Sequence, residues 1–488
     1  MSKELEKARQ FEAQEIKKIE ENQKPAFHVS APIGWINDPN GFSTYQGKVH
    51  LFYQYNPYYR EWGPMHWGHS VTKDMIRWEQ MPVALAPEQE YDKVGCFSGS
   101  AVEADGQHVL VYTGVTKVTR ENGELEERQN QCIAFGNGEN YTKAENNPVV
   151  TGDMMPEGCS RIDFRDPKIW KDGNQFYLIV GNKNEEQKGQ VVLFSSEDLK
   201  QWKFETILAE NSSGEIGTMW ECPDFFQLGE KHILICSPQN MKAKGYEFHN
   251  GHNSVYFAGH YDSKKHLFEK EEPIALDYGL DFYAPQTTEL PDGRRIMIAW
   301  MKSWDACIIP DEQQWQGMMT LPRELQYKNG QIYQYPVREL EKYHKNKCIY
   351  QNMEIENNVQ LENIRGRMID LTVEIKNGEY DEFQIELAHN KEYTTNFVYN
   401  RRKQLIEIDR TYSGVTKDVV CQRKVKISSQ KEDLKLRFIL DRCSIELFIN
   451  DGQQVATTAI STPQEADEII FTCDGSAVVN IEKYDIVV

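Results

Sequence analysis

From about residue 26 to residue 335, short apolar or aromatic runs are separated by Gly, Pro, Asn and Asp. That is the pattern of many antiparallel strands joined by tight turns. Five stretches share one order of parts: an opening strand, a Gly turn, a continuously apolar strand, then one or two further strands often closed by an aromatic. The apolar strands are residues 49–53, 109–112, 176–180, 232–235 and 296–300. The openings fall at Gly41, Phe97, Phe164, Glu221 and Phe282, a period of roughly 55–65 residues, as expected of a β-propeller with one sheet per repeat. Two endings echo each other, Lys73-Asp74-Met75-Ile76-Arg77-Trp78 and Glu197-Asp198-Leu199-Lys200-Gln201-Trp202.

The pattern changes on either side of this region. Residues 1–25 are polar with mixed charge and read as a helical arm lying on the surface. Residues 336–350 read as a connector that begins with a short charged helical segment. Residues 351–488 alternate at 369–375, 405–409, 434–440 and 444–450 without the repeat, and Asn450-Asp451-Gly452 is a hairpin turn signal. The expected fold is therefore all-β: a five-bladed β-propeller over 26–335, followed by a C-terminal β-sandwich over 351–488.

Composition narrows the partners. The net charge of −20 argues against nucleic acid and against an anionic membrane, and fits a neutral small molecule. The first residues lack the apolar core of a signal peptide, and no run is long enough to span a bilayer, so a cytoplasmic location is expected. Ten scattered cysteines, with no Cys-x-x-Cys pair and no His at zinc spacing, read as reduced thiols; neither metal nor cofactor is expected.

Asn37-Asp38-Pro39-Asn40-Gly41 taken alone is an ordinary turn. Its phase in the repeat changes that reading. Asp38, Asp166 and Glu221 stand at the openings of units one, three and four, each followed by a proline directly or at one remove. The opening strands of a propeller line its axis, so three acids far apart in sequence converge on one funnel. Acids clustered among aromatic and hydrogen-bonding side chains suit glycoside cleavage, one carboxylate attacking or stabilising the sugar cation while another protonates the leaving oxygen.

The chain resembles glycoside hydrolase family 32, the β-fructofuranosidases that include invertases, sucrose-6-phosphate hydrolases and fructan exo-hydrolases. The resemblance rests on His28, Pro32 and Trp35 through Gly41, Phe52-Tyr53-Gln54-Tyr55-Asn56-Pro57, Trp67-Gly68-His69 and Phe97-Ser98-Gly99-Ser100. It continues at Phe164-Arg165-Asp166-Pro167, Trp220-Glu221-Cys222-Pro223-Asp224, Asp281-Phe282-Tyr283-Ala284 and Ser444-Ile445-Glu446-Leu447-Phe448. It covers nearly all of the chain from about residue 26 and implies the same propeller-plus-sandwich fold. It further implies a retaining mechanism with Asp38 as nucleophile, Glu221 as acid/base and Asp166 as a holder of sugar hydroxyls. Asn37, Gln54, Trp62, Phe97, Ser98, Arg165 and Tyr283 are implied around the fructose.

The implied reaction is hydrolysis of terminal fructose from sucrose, its phosphate or short fructo-oligosaccharides. A fructosyltransferase using the same triad is an alternative. A non-catalytic fructan-binding protein is another, against which the intact triad speaks. Cys222 reads as packing or a weak hydrogen-bond donor, His249 and His252 as loop residues, and 115–129 as a solvent-exposed hairpin, with an overhang that shapes the leaving-group side of the funnel as the alternative. The sandwich is expected to buttress the propeller or to make a homodimer contact.

Overall fold

In the computed structural model, which describes residues 2–120, 122–305, 313–376, 378–415, 419–428 and 433–488, five antiparallel sheets stand around one axis. Their innermost strands are Gly34–Tyr45, Gly95–Ala104, Cys159–Asp172, Trp220–Leu228 and Tyr283–Glu289. Each innermost strand touches the next and the fifth touches the first, so the ring closes as a five-bladed β-propeller. The blades pack face to face, and the second strand of each is covered on both sides. Leu178, Ile179 and Val180, like Ile233, Leu234 and Ile235, are wholly buried, which is why these runs are continuously apolar and do not alternate.

The repeated sequence endings are one repeated turn. Met75 donates its N–H to Thr72 Oγ1 at 2.9 Å and Leu199 donates to Ser196 Oγ at 3.0 Å. Trp78 and Trp202 then return their indole N–H to the carbonyls of Met75 and Leu199. The ring is also latched. After Arg295–Trp300 in blade five, Trp315–Gln316 pairs in parallel with Gly34 and Trp35 of blade one, and the chain then returns to blade five as Arg323–Lys328.

The helix Lys3–Glu15 is capped by Ser2, whose hydroxyl accepts from the Leu5 N–H. It does not lie free on the surface: Leu5 and Ala8 join the apolar core that contains Phe27, Val29 and Ile36. No helix among the described residues is long and apolar enough to cross a membrane.

The C-terminal strands form two layers that share one long strand. Glu468–Ile486 pairs along one edge with His344–Val359, and along the other first with Glu382–His389 and then with Ile369–Ile375. Ile385, Ile406 and Val425 of one layer share a core with Leu371, Leu436 and Leu447 of the other, and the rings of Phe397 and Phe438 meet at 5.0 Å. This is a β-sandwich. Its first strand begins directly after the 3-10 helix Arg338–Tyr343, so residues 344–350 are strand and only the segment before them connects. The sandwich is pinned to the propeller through fully buried Arg323, which donates to Glu446 and Asp277.

Candidate active site

All five innermost strands slip register at the corresponding point: between Ile36 and Pro39, Phe97 and Gly99, Arg165 and Lys168, Glu221 and Asp224, and Tyr283 and Gln286. A bulge of this kind bends the strand and re-aims its side chains. Asp166, Cys222 and Ala284 take left-handed backbone there, with φ of 66°, 47° and 52°. Pro39, Pro167, Pro223 and Pro285 sit at or beside the slips, where a strand can do without a ladder N–H. The repeated acid-proline phase in the sequence is thus a repeated bulge at the mouth of the funnel.

These bulges bring Asp38, Asp166 and Glu221 to one cavity of about 390 Å³, within the range of small-ligand sites. Asp38 is buried, and its Oδ2 accepts the Ser98 hydroxyl at 2.6 Å. Its Oδ1 has no hydrogen-bond partner among the described residues. The Cys222 thiol lies 3.6 Å from Oδ2 of Asp38 and 3.6 Å from Oδ2 of Asp166, so it can donate to either carboxylate. Asp166 Oδ2 also accepts the Cys222 backbone N–H at 3.0 Å, and the Asp166 N–H is held by Thr113.

Glu221 is fixed through both oxygens. Arg165 donates to Oε1 through Nε at 3.0 Å and Nη2 at 2.9 Å, and the Tyr283 hydroxyl donates to Oε2 at 2.7 Å. Tyr283 is buried behind Glu221 and is not among the lining side chains. Asn37 does line the cavity, its amide oxygen accepting the Trp35 indole N–H, as does Gln54, which donates to the Cys96 carbonyl. Trp62, 46% exposed, stands edge-on to Phe97 with centroids 5.5 Å apart, and the two form an apolar wall.

Burial pushes the Asp38 carboxyl up to about 6, with the charge of Glu221 adding and the Ser98 hydrogen bond opposing. Burial likewise raises Asp166; Arg165 works against that, while Glu221 and Asp38 reinforce it. Burial would lower the Arg165 guanidinium, but Glu221, Asp166 and Asp163 more than offset it and hold Arg165 charged. Burial and the surrounding carboxylates keep the Cys222 thiol protonated, so it acts as a hydrogen-bond donor and not as a nucleophile.

The cavity also holds residues that the sequence did not place there: Glu127, Gln129, Asp163, Gln239, His252 and Trp304. Gln129 Oε1 accepts from the Phe164 N–H and from Arg165, so the 115–129 hairpin reaches the site, although its tip is exposed; Glu121 lies outside the described residues. Asp163 was readable as the position two before Arg165 on the same strand face, to which it is bonded at 3.3 Å. His252, expected as a loop residue, is on a loop but lines the cavity and is bonded to Asp305. Loop positions carry no period, and nothing in the pattern marks Gln239, His252 or Trp304. Among the described residues no group of three or more His, Cys, Asp and Glu side chains has metal-binding geometry.

A propeller funnel closed by positioned carboxylates and a sugar-sized polar cavity defines a glycoside hydrolase. Residues 28–336 match the family described as glycosyl hydrolases family 32 N-terminal domain, and residues 339–487 match glycosyl hydrolases family 32 C terminal. A sucrose-6-phosphate hydrolase of Escherichia coli is 37% identical over 457 residues, 93% of each chain, and a raffinose invertase of Escherichia coli is 37% identical over 463 residues. Among solved structures, a family 32 β-fructofuranosidase of Bombyx mori superposes with a TM-score of 0.85 at 32% identity, covering 99% of this chain and 97% of that one. The chain belongs to glycoside hydrolase family 32.

Proposed function

We propose that the chain is a retaining β-fructofuranosidase that hydrolyses terminal β-D-fructofuranosides, sucrose among them, with Asp38 as nucleophile and Glu221 as acid/base. The observation that carries this reading is the asymmetry of the two carboxylates. Asp38 is tethered through Oδ2, by Ser98, whereas Glu221 is engaged at both oxygens, by Arg165 at Oε1 and by the Tyr283 hydroxyl at Oε2, and that hydroxyl can turn its proton to the Ser237 carbonyl when Oε2 carries the acid's proton. A nucleophile needs one oriented lone pair toward the anomeric carbon; an acid/base needs a fixed position beside the leaving oxygen.

In the first step Asp38 attacks C2 of the fructosyl unit. The C2–O bond breaks and Glu221 delivers its proton to the departing oxygen. In the second step Glu221 takes a proton from water, whose oxygen attacks C2 and releases Asp38. Asp166, tied back through the Cys222 N–H, offers a carboxyl oxygen to the sugar hydroxyls, and Asn37, Gln54 and Arg165 supply further polar contacts. Trp62 and Phe97 cover the apolar face of the ring. The sucrose and raffinose in the names of the bacterial relatives, and a variant of the Bombyx mori enzyme solved with sucrose, support the same substrate class. The nine described cysteines are all unpaired, which supports a reducing, cytoplasmic setting.

The test is Glu221→Gln assayed on sucrose, with the wild type assayed in aqueous methanol. Glucose release by the variant should fall by about 10²–10⁴-fold, and the wild type should form methyl β-D-fructofuranoside. Undiminished glucose release, or the α-anomer as product, would overturn the assignment.

A further inference from the structure

Beside Tyr283, which holds Glu221, the cavity is walled by a side chain that none of the steps above uses. His252 lies in the connection between Lys231–Pro238 and Val255–Asp262, the second and third strands of the blade that carries Glu221. Its ring is fixed from two sides. Nδ1 lies 3.0 and 3.1 Å from the two carboxylate oxygens of Asp305, whose Oδ2 also accepts the His252 backbone N–H at 2.7 Å. The ring then stands edge-on to Tyr283 at 5.6 Å, the residue that holds Glu221. With Nδ1 committed to Asp305, Nε2 is the nitrogen that can meet a ligand in the cavity. Because the acid/base marks where the glycosidic oxygen sits, a ring beside its holder faces the leaving group and not the fructose.

The charge of the wall sets what that leaving group can be. The cavity is lined by five carboxylates, Asp38, Asp163, Asp166, Glu127 and Glu221. Against them the described lining offers Arg165 and, when protonated, His252. Arg165 spends its donors on Glu221, Asp163 and Gln129, and His252 is already bonded to Asp305. A phosphate dianion entering this space would meet carboxylates first and find each cation engaged. Uncharged hydroxyls, which both donate and accept, match carboxylates, amides and an imidazole.

Resting on the β-fructofuranosidase reading, we propose that His252, held by Asp305, is a specificity-determining residue that hydrogen-bonds a hydroxyl of an uncharged leaving sugar. The substrates are neutral fructosides such as sucrose and short fructo-oligosaccharides, and a 6-phosphate on the glucose is disfavoured. This separates the chain from the phosphorylated substrate in the name of the sucrose-6-phosphate hydrolase it resembles and sides with the raffinose invertase.

The full-length chain is assayed for kcat/KM on sucrose, sucrose 6-phosphate and methyl β-D-fructofuranoside, whose leaving group is only methanol. The wild type should prefer sucrose to its 6-phosphate by about 10-fold or more. His252→Ala should lose about 10–100-fold on sucrose and stay within about 3-fold on the methyl fructoside; His252→Gln, which keeps a polar group, should recover part of the loss. The methyl fructoside also reports that the variant is folded. Equal or better activity of the wild type on sucrose 6-phosphate would overturn the charge argument. Equal losses of His252→Ala on sucrose and the methyl fructoside would overturn the leaving-group role. Release of fructose from none of the three by the wild type would instead overturn the β-fructofuranosidase reading on which this subsite depends.

Discussion

Nε2 of His28, at the entrance to the propeller, lies 2.9 Å from Oε1 of Glu446 in the sandwich, 418 positions away, with both side chains closed to solvent. Nδ1 of the same ring lies 2.7 Å from Oδ2 of Asp441. Burial alone would lower the His28 pKa, but the two carboxylates outweigh it and raise it to about 9. The imidazolium is therefore a charged rivet between the domains. A histidine raised in the folded state stabilises fully below its unfolded value near 6.5, and that contribution disappears as pH rises through about 9. Calorimetric Tm should accordingly fall between pH 6.5 and 9, with about 3 kcal/mol at stake. His28→Gln should be less stable at neutral pH, by about 3–5 kcal/mol, because two carboxylates are left buried without their cation, and its Tm should no longer slope over that window. An identical slope in the variant would assign the alkaline loss to another group.

This contact shows what the sequence could and could not express. His28 and Glu446 both stood in motifs that carried the family resemblance, yet neither had a readable role, because a bond spanning two domains leaves no local pattern. The blades were legible for the opposite reason: strand, Gly turn and buried strand recur at short range, and the acids kept one phase within that recurrence. The bulges that aim Asp38, Asp166 and Glu221 were visible only as prolines. Tyr283 was legible as a motif residue, but its place behind Glu221 follows from packing. The connector was drawn too long because the first sandwich strand, His344–Val359, is largely exposed and polar on its outer face.

The Tyr283 hydroxyl lies 2.7 Å from Glu221 Oε2 and 3.0 Å from the Ser237 carbonyl, with one proton to give to either, so it orients the proposed acid/base from behind. Tyr283→Phe keeps the ring and removes that donor. The carboxyl then retains Arg165 but loses its second anchor. We expect kcat on sucrose to fall by about 10–100-fold, the cost of one positioned hydrogen bond in a buried site, with KM changed by less than about 3-fold. Steady-state kinetics on both enzymes decides it. A rise in KM at constant kcat would mean that Tyr283 binds the sugar directly.

The pH profile should have an acid limb set by Asp38. As the proposed nucleophile Asp38 must be ionised, and burial holds it at about 6, so kcat/KM should drop roughly tenfold per pH unit well below that value. Because the interacting carboxylates titrate together, the limb belongs to the cluster as a whole. Ser98 stabilises the anion through its 2.6 Å hydrogen bond. Ser98→Ala should therefore move the acid limb to higher pH as well as lowering the plateau. A limb that stays in place would show that Ser98 positions Asp38 without stabilising its charge.

The same burial predicts that the proposed nucleophile is held at the expense of the fold. Asp38 is raised to about 6 from an ordinary 3.8, so the folded state prefers the protonated form. For an acid raised on folding, stability is greatest below the unfolded value and is lost as pH climbs through the folded one. At pH 7 the ionised carboxylate thus costs about 3 kcal/mol relative to a neutral group in the same place. Asp38→Asn removes the charge while its amide oxygen can still accept from Ser98, and it should abolish turnover yet raise Tm at pH 7. The gain should shrink steadily as pH falls and vanish near pH 4, where Asp38 is protonated in the folded wild type and only partly ionised in the unfolded chain. Paired melts of the two proteins from pH 4 to 8 measure this directly. A variant less stable than wild type at pH 7 would mean that the Asp38 anion is solvated by its surroundings more fully than its burial implies, and the acid-limb prediction would then have to move to lower pH with it.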